Sequence, residues 1–119
     1  MSILLVEDEA LIAFDLEDSL RTLGQEVIVF SSANDASIWL KNNLPKVAVL
    51  DFQLRDGTCA DIARHLLGAN VPIIVHTARE ETLEAFDSDL RSAPVFRKPA
   101  DTPLLVGAIM QTVSENTNG

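Results

Sequence analysis

The sequence predicts a doubly wound α/β domain, a three-layer (βα)₅ sandwich around a parallel sheet in the order 2-1-3-4-5, and three observations carry that expectation. Five short apolar, β-branched-rich runs alternate with stretches of helical spacing, the runs are apolar at successive residues instead of every second one, and Gly, Pro and cap residues punctuate the boundaries. Continuous apolar strands belong to a sheet buried on both faces, and the helices between them supply right-handed crossovers. In such sheets ligands gather outside the carboxyl ends of the strands, near the switch between strands 1 and 3.

The strands are expected at residues 3–6, 27–30, 47–50, 72–75 and 94–96. The first helix is expected over residues 10–23, where Ile12, Leu16, Leu20 and Leu23 make one stripe, Asp15, Asp18 and Thr22 face away, and Gly24 closes the helix. Further helices are expected over residues 35–42, 58–67, 81–91 and 102–113. Gly68 follows the third, and Thr102-Pro103 opens the last as a cap followed by proline.

Composition narrows the class of function. The 119 residues fit one domain, read here as residues 1–115, with residues 116–119 as a flexible tail. A formal charge of −9 offers no basic patch to phosphates, so direct nucleic-acid binding is not expected. The apolar runs fall far short of the roughly 20 residues that span a bilayer, and no secretory signature opens the chain; a cytoplasmic location is expected. The single cysteine, Cys59, forms no internal disulfide and is read as a small helix residue.

The residues that end the strands are Glu7 and Asp8, Asp51, Thr77 and Lys98. Any one of them alone is more often a turn former or a cap. Together they place three carboxylates, a hydroxyl and an ammonium on one edge of the sheet. Carboxylates so crowded call for a divalent cation, and oxygen-only ligands select Mg²⁺. The hydroxyl and ammonium opposite them suit an incoming anion, for which a phosphoryl group fits.

The blocks "ILLVEDE", "VAVLDFQLRDG", "IIVHTA" and "VFRKP" resemble the four signature segments of the response-regulator receiver (CheY-like) family, over essentially residues 2–113. The resemblance implies a flavodoxin-like fold, a Mg²⁺ site on Glu7, Asp8, Asp51 and the main-chain carbonyl of Gln53, and phosphorylation of Asp51. It also implies roles for Thr77 as the hydroxyl that reports phosphorylation and for Lys98 as the family's lysine, with a cis peptide bond between Lys98 and Pro99. Implied partners are a sensor histidine kinase or a histidine phosphotransfer protein and a downstream protein target, with homodimerisation left open. The family's usual switch aromatic falls on Val95, and Phe96 beside it faces the opposite side of its strand. Transmission is therefore expected through residues 78–91 instead of a swinging ring.

His65 and His76 are read as structural, since a lone histidine lacks partner ligands, although His76 stands beside the proposed site. Trp39 is expected to be partly buried, and the acids of "REETLEAFDSD" read as a solvated helix face. Two other functions compete. A Mg²⁺-dependent phosphohydrolase using Asp51 as nucleophile would need an acid where Gln53 stands, and Asp56 reads as part of an Asp-Gly turn. A degenerate receiver that only binds partners is disfavoured because all five site residues are present. Phosphate incorporation from a small donor separates the three. The chain is read as a receiver, either stand-alone or excised from a longer protein, and not as an enzyme beyond its own phosphoryl transfer and dephosphorylation.

Overall fold

Apolar runs that cannot remain in water become the strands of the computed structural model, which describes residues 1–51, 54, 59–77, 93–98 and 102–117. The elements are β1 (Ile3–Val6), α1 (Ala10–Thr22), β2 (Val27–Phe30), α2 (Ala33–Leu40), β3 (Val47–Leu50), α3 (Ala60–Gly68), β4 (Ile73–Thr77), β5 (Val95–Arg97) and α4 (Thr102–Thr117). All neighbouring strands run parallel in the order β2-β1-β3-β4-β5, as expected. The expected helix at residues 81–91, and with it the proposed route of transmission through residues 78–91, lies outside the described residues.

Alternation along the strands divides the core between two faces. Leu4, Val6, Ala48, Leu50, Ile73 and Val75 pack beneath α2 and α3 with Leu40, Ile62 and Leu66. Ile3, Leu5, Val27, Val47, Val49 and Ile74 pack beneath α1 and α4 with Leu16, Leu20, Leu105 and Ile109. Each fully buried leucine or isoleucine removes apolar surface worth about 2 kcal/mol from water. Val95 joins the first face and Phe96 the second, so the two do face opposite sides of β5. No helix among the described residues is long and apolar enough to cross a membrane.

Local chemistry explains the shifted boundaries. Helix α2 starts earlier than expected because the Ser32 hydroxyl accepts the Asp35 N–H at 3.1 Å, an N-cap overlooked in "SAND". In α1 the buried residues are Ala13, Leu16 and Leu20, whereas Leu23 is the C-cap and is exposed. Gly24 follows at φ 82°, as its expected capping role requires. After α3 the left-handed residue is Asn70 at φ 62°, while Gly68 stays in the helix. Cys59 is fully buried just before α3 and its carbonyl accepts the Ala63 N–H. Pro72 and Pro94, expected as the first residues of their strands, stand just before them; lacking an N–H, each still accepts through its carbonyl, from Ala48 and Val75. Helix α4 runs to Thr117, into the stretch expected as tail, aided by a hydrogen bond from the Gln111 amide to Glu115 one turn on. Trp39 is half-buried against Phe30, with ring centroids 6.0 Å apart.

Candidate functional site

The parallel ladder runs one residue past three strands, and there it places the polar residues. The Glu7 N–H donates to the Phe30 carbonyl at 3.0 Å, the Asp51 N–H to Val6 at 3.0 Å, and the Lys98 N–H to Thr77 at 2.9 Å. Each site residue is thus tied to the end of a neighbouring strand. Because Val6 is registered with Leu50 and Leu50 with Val75, the next row across the sheet holds Glu7, Asp51 and His76. By strand alternation this row belongs to the face covered by α1 and α4.

Lys98 closes the constellation. Its Nζ donates to Glu7 Oε2 at 2.8 Å, to Asp51 Oδ2 at 2.8 Å and to Glu9 Oε1 at 3.1 Å. The Glu9 N–H also donates to Glu7 Oε2, at 3.1 Å. Glu7 and Asp51 are 2% and 3% exposed, so both carboxylates sit where screening is weak. Burial pushes the Glu7 carboxyl up to about 7, against the lowering effect of Lys98 and with a further rise from Asp51. Burial works against the Lys98 ammonium, yet hydrogen bonds to Asp51, Glu7 and Glu9 outweigh it and hold the group above its ordinary value. His76 is lowered, first by burial and then by the nearby Lys98 charge.

One ammonium therefore faces three carboxylates, and Asp8 adds a fourth. Ligand atoms of Glu7, Asp8, Glu9 and Asp51 all lie within 4.8 Å of one another. A set made only of carboxylate oxygens, in negative excess over Lys98, fits a hard divalent cation such as Mg²⁺ and not a soft metal.

Of the residues expected from sequence, Glu7, Asp8, Asp51 and Lys98 come together here. Thr77 is fully buried at the end of β4 and joins them through its carbonyl, which accepts the Lys98 N–H. Gln53 and Pro99 lie outside the described residues. Two further residues were not assigned to the site from sequence. Glu9 holds Lys98, and the third acid of "EDE" was its signal. His76 shares the row of Glu7 and Asp51, which only the strand register shows.

Comparison with known proteins identifies the family and the fold. The model of the response regulator receiver domain matches residues 3–110. The virulence transcriptional regulatory protein PhoP of Salmonella typhimurium is 34% identical over 82 residues, covering 67% of this chain and 37% of that protein. The transcriptional regulatory protein PhoP of Escherichia coli O6:H1 is 34% identical over the same shares. The chain thus matches little more than a third of the length of these relatives. Among solved structures, the PhyR response regulator REC domain of Erythrobacter litoralis is 29% identical with a TM-score of 0.78, covering 94% of this chain and 88% of that one. A CheY-like receiver domain protein of Methanospirillum hungatei, at 21% identity, shares the fold with a TM-score of 0.84 over 98% and 96% of the two chains.

Proposed function

The chain belongs to the response regulator receiver family, and from that premise we propose that Asp51 is its phosphoryl acceptor, served by Lys98 and Thr77 and by Mg²⁺ held on Glu7, Asp8, Asp51 and the Gln53 carbonyl. The observation that carries this reading is the Lys98 ammonium lying 2.8 Å from both Asp51 and Glu7, residues 47 and 91 positions away in the chain. Such convergence at the carboxyl ends of a doubly wound sheet marks a ligand site. The family is regulatory, and the only reaction assigned to this chain is its own phosphoryl transfer and hydrolysis.

In that reaction an Asp51 carboxylate oxygen forms the new bond to phosphorus while the bond from phosphorus to the donor breaks, and the donor leaves with its electron pair. Lys98 remains at hydrogen-bond distance from Asp51 and offsets the charge gathering on the phosphoryl oxygens. Glu7, Asp8, Asp51 and the Gln53 carbonyl would hold the Mg²⁺, which would supply further positive charge to offset that of the phosphoryl oxygens. Phosphorylation adds about −1.5 to −2 charges at Asp51. The Thr77 hydroxyl is the group that answers them, biasing a two-state element at the end of β4. The phosphoryl source is a sensor histidine kinase or a histidine phosphotransfer protein, the output is a protein contact, and the location is cytoplasmic.

Incubation with acetyl phosphate tests the reading: phosphate should enter the wild-type chain only when Mg²⁺ is present, and incorporation without metal, or none with it, would overturn it. Mg²⁺ should also raise the melting temperature, and Asp8→Ala should remove most of that shift. Affinity for Mg²⁺ should increase between about pH 6 and pH 8. A carboxyl raised to about 7 still holds its proton at the lower pH and must lose it before binding a cation. The gain should reach up to about tenfold per pH unit below 7, and calorimetric titrations showing constant affinity would mean that Glu7 is ionised throughout or is not a ligand.

A further inference from the structure

His76 interrupts a strand whose other inner residues, Ile73, Ile74 and Val75, are all apolar. It is 4% exposed, and neither ring nitrogen has a hydrogen-bond partner among the described residues. A buried imidazole left in that condition costs stability on the order of 1–3 kcal/mol, so an apolar residue would serve the strand better if packing were its only task. The ring lies one row position from Asp51 and two from Glu7 on the face covered by α1 and α4. Its Nδ1 stands 3.8 Å from Glu7 Oε1, beyond hydrogen-bond range but within reach of a small rotation. The ring also lines a cavity of about 180 Å³ between α1 and α4, shared with Leu11, Ile12, Asp15, Thr102 and Leu105, which leaves it room to turn.

The partners of Glu7 divide between its two oxygens. Oε2 takes the bonds from Lys98 and from the Glu9 N–H, while Oε1 is the oxygen that faces His76. Lys98 cannot remain on Glu7, Glu9 and Asp51 alike once a cation or a phosphoryl group claims those oxygens. Glu7 then loses one of the bonds that now fix its orientation and keeps that from the Glu9 N–H. We infer that His76 is a positioning residue for Glu7: its neutral imidazole donates Nδ1–H to Glu7 Oε1 when Lys98 moves away, and keeps the carboxylate aimed at the cation. A partner that orients a ligating carboxylate in this way acts as second support for a metal site, and its loss commonly weakens metal binding.

This inference rests on the proposed metal site, and the test separates the two. Asparagine reproduces a donor at the Nδ1 position, glutamine offers one only farther out, and leucine fills the space without any. Mg²⁺ affinity should fall about tenfold in His76→Leu, fall comparably in His76→Gln, and stay within about threefold of wild type in His76→Asn. His76→Leu should meanwhile fold with undiminished or greater metal-free stability in urea, which excludes a merely structural cause. In the wild type, ¹⁵N NMR of the ring should show the Nδ1–H tautomer, with that signal moving on addition of Mg²⁺. Equal Mg²⁺ affinity in wild type and His76→Leu, or an Nε2–H tautomer that ignores the metal, would overturn the role of His76 and leave the metal site standing. Failure of wild type itself to bind Mg²⁺ would overturn the metal site instead.

Discussion

Asp51→Asn should abolish phosphoryl incorporation altogether, because an amide oxygen is too weak a nucleophile and Asp51 is the buried carboxylate that follows β3 and touches Lys98. Treatment with acetyl phosphate and Mg²⁺, followed by borohydride trapping and mass analysis, should label Asp51 in wild type and nothing in the variant. The fold should survive. The substitution removes one negative charge from a cluster in which carboxylates outnumber the ammonium, so the metal-free variant should melt no lower than wild type. Label retained at Asp8 or Asp61 would show that a different carboxylate is the acceptor. A variant that cannot fold would instead mean that the Asp51–Lys98 contact is needed for the structure itself.

Lys98→Met should produce the largest loss of stability of any single change in the site. The Lys98 side chain is 7% exposed and is the cation between Glu7 and Asp51, both almost wholly buried. Removing one partner of a buried pair leaves an uncompensated charge and typically costs about 3–5 kcal/mol. Urea unfolding of the metal-free variant should show a deficit of that order. Because a divalent cation replaces the missing charge, saturating Mg²⁺ should restore most of it, and more than the same Mg²⁺ adds to wild type. A deficit under about 1 kcal/mol, or one indifferent to Mg²⁺, would mean that the acids are protonated or solvated and that Lys98 is not their counter-ion.

Much of this architecture was legible in the residues. Apolar runs such as "ILLV" and "VAVL" have no soluble alternative to a doubly covered sheet, so all five strands were placed within two residues of their observed ends. The strand-end acids and Lys98 were legible because the doubly wound topology sends every strand's carboxyl end to the same edge. What could not be read depended on register or on side-chain competition. His76 reads from "VHT" as a structural residue beside the site, and pairing across two strands is what sets it in the row of Glu7 and Asp51. Glu9 resembles an ordinary acid at a helix start; its backbone does take the N-cap position of α1, but its carboxylate turns to Lys98 instead of capping. Leu23 matched the helical period and is still exposed, because the helix ends before its side chain reaches the core.

The reach of Lys98 across the chain also bears on the order in which the molecule comes into being. Its contacts with Glu7 and Asp51 span 91 and 47 positions of the chain, and β5, which precedes it, is synthesised after every other described strand. A nascent chain that has completed β1 and β3 holds both acids without their ammonium, and long-range contacts of this kind form late. A chain cut short before β5 would therefore lack the counter-ion that Glu7 and Asp51 hold in the folded domain.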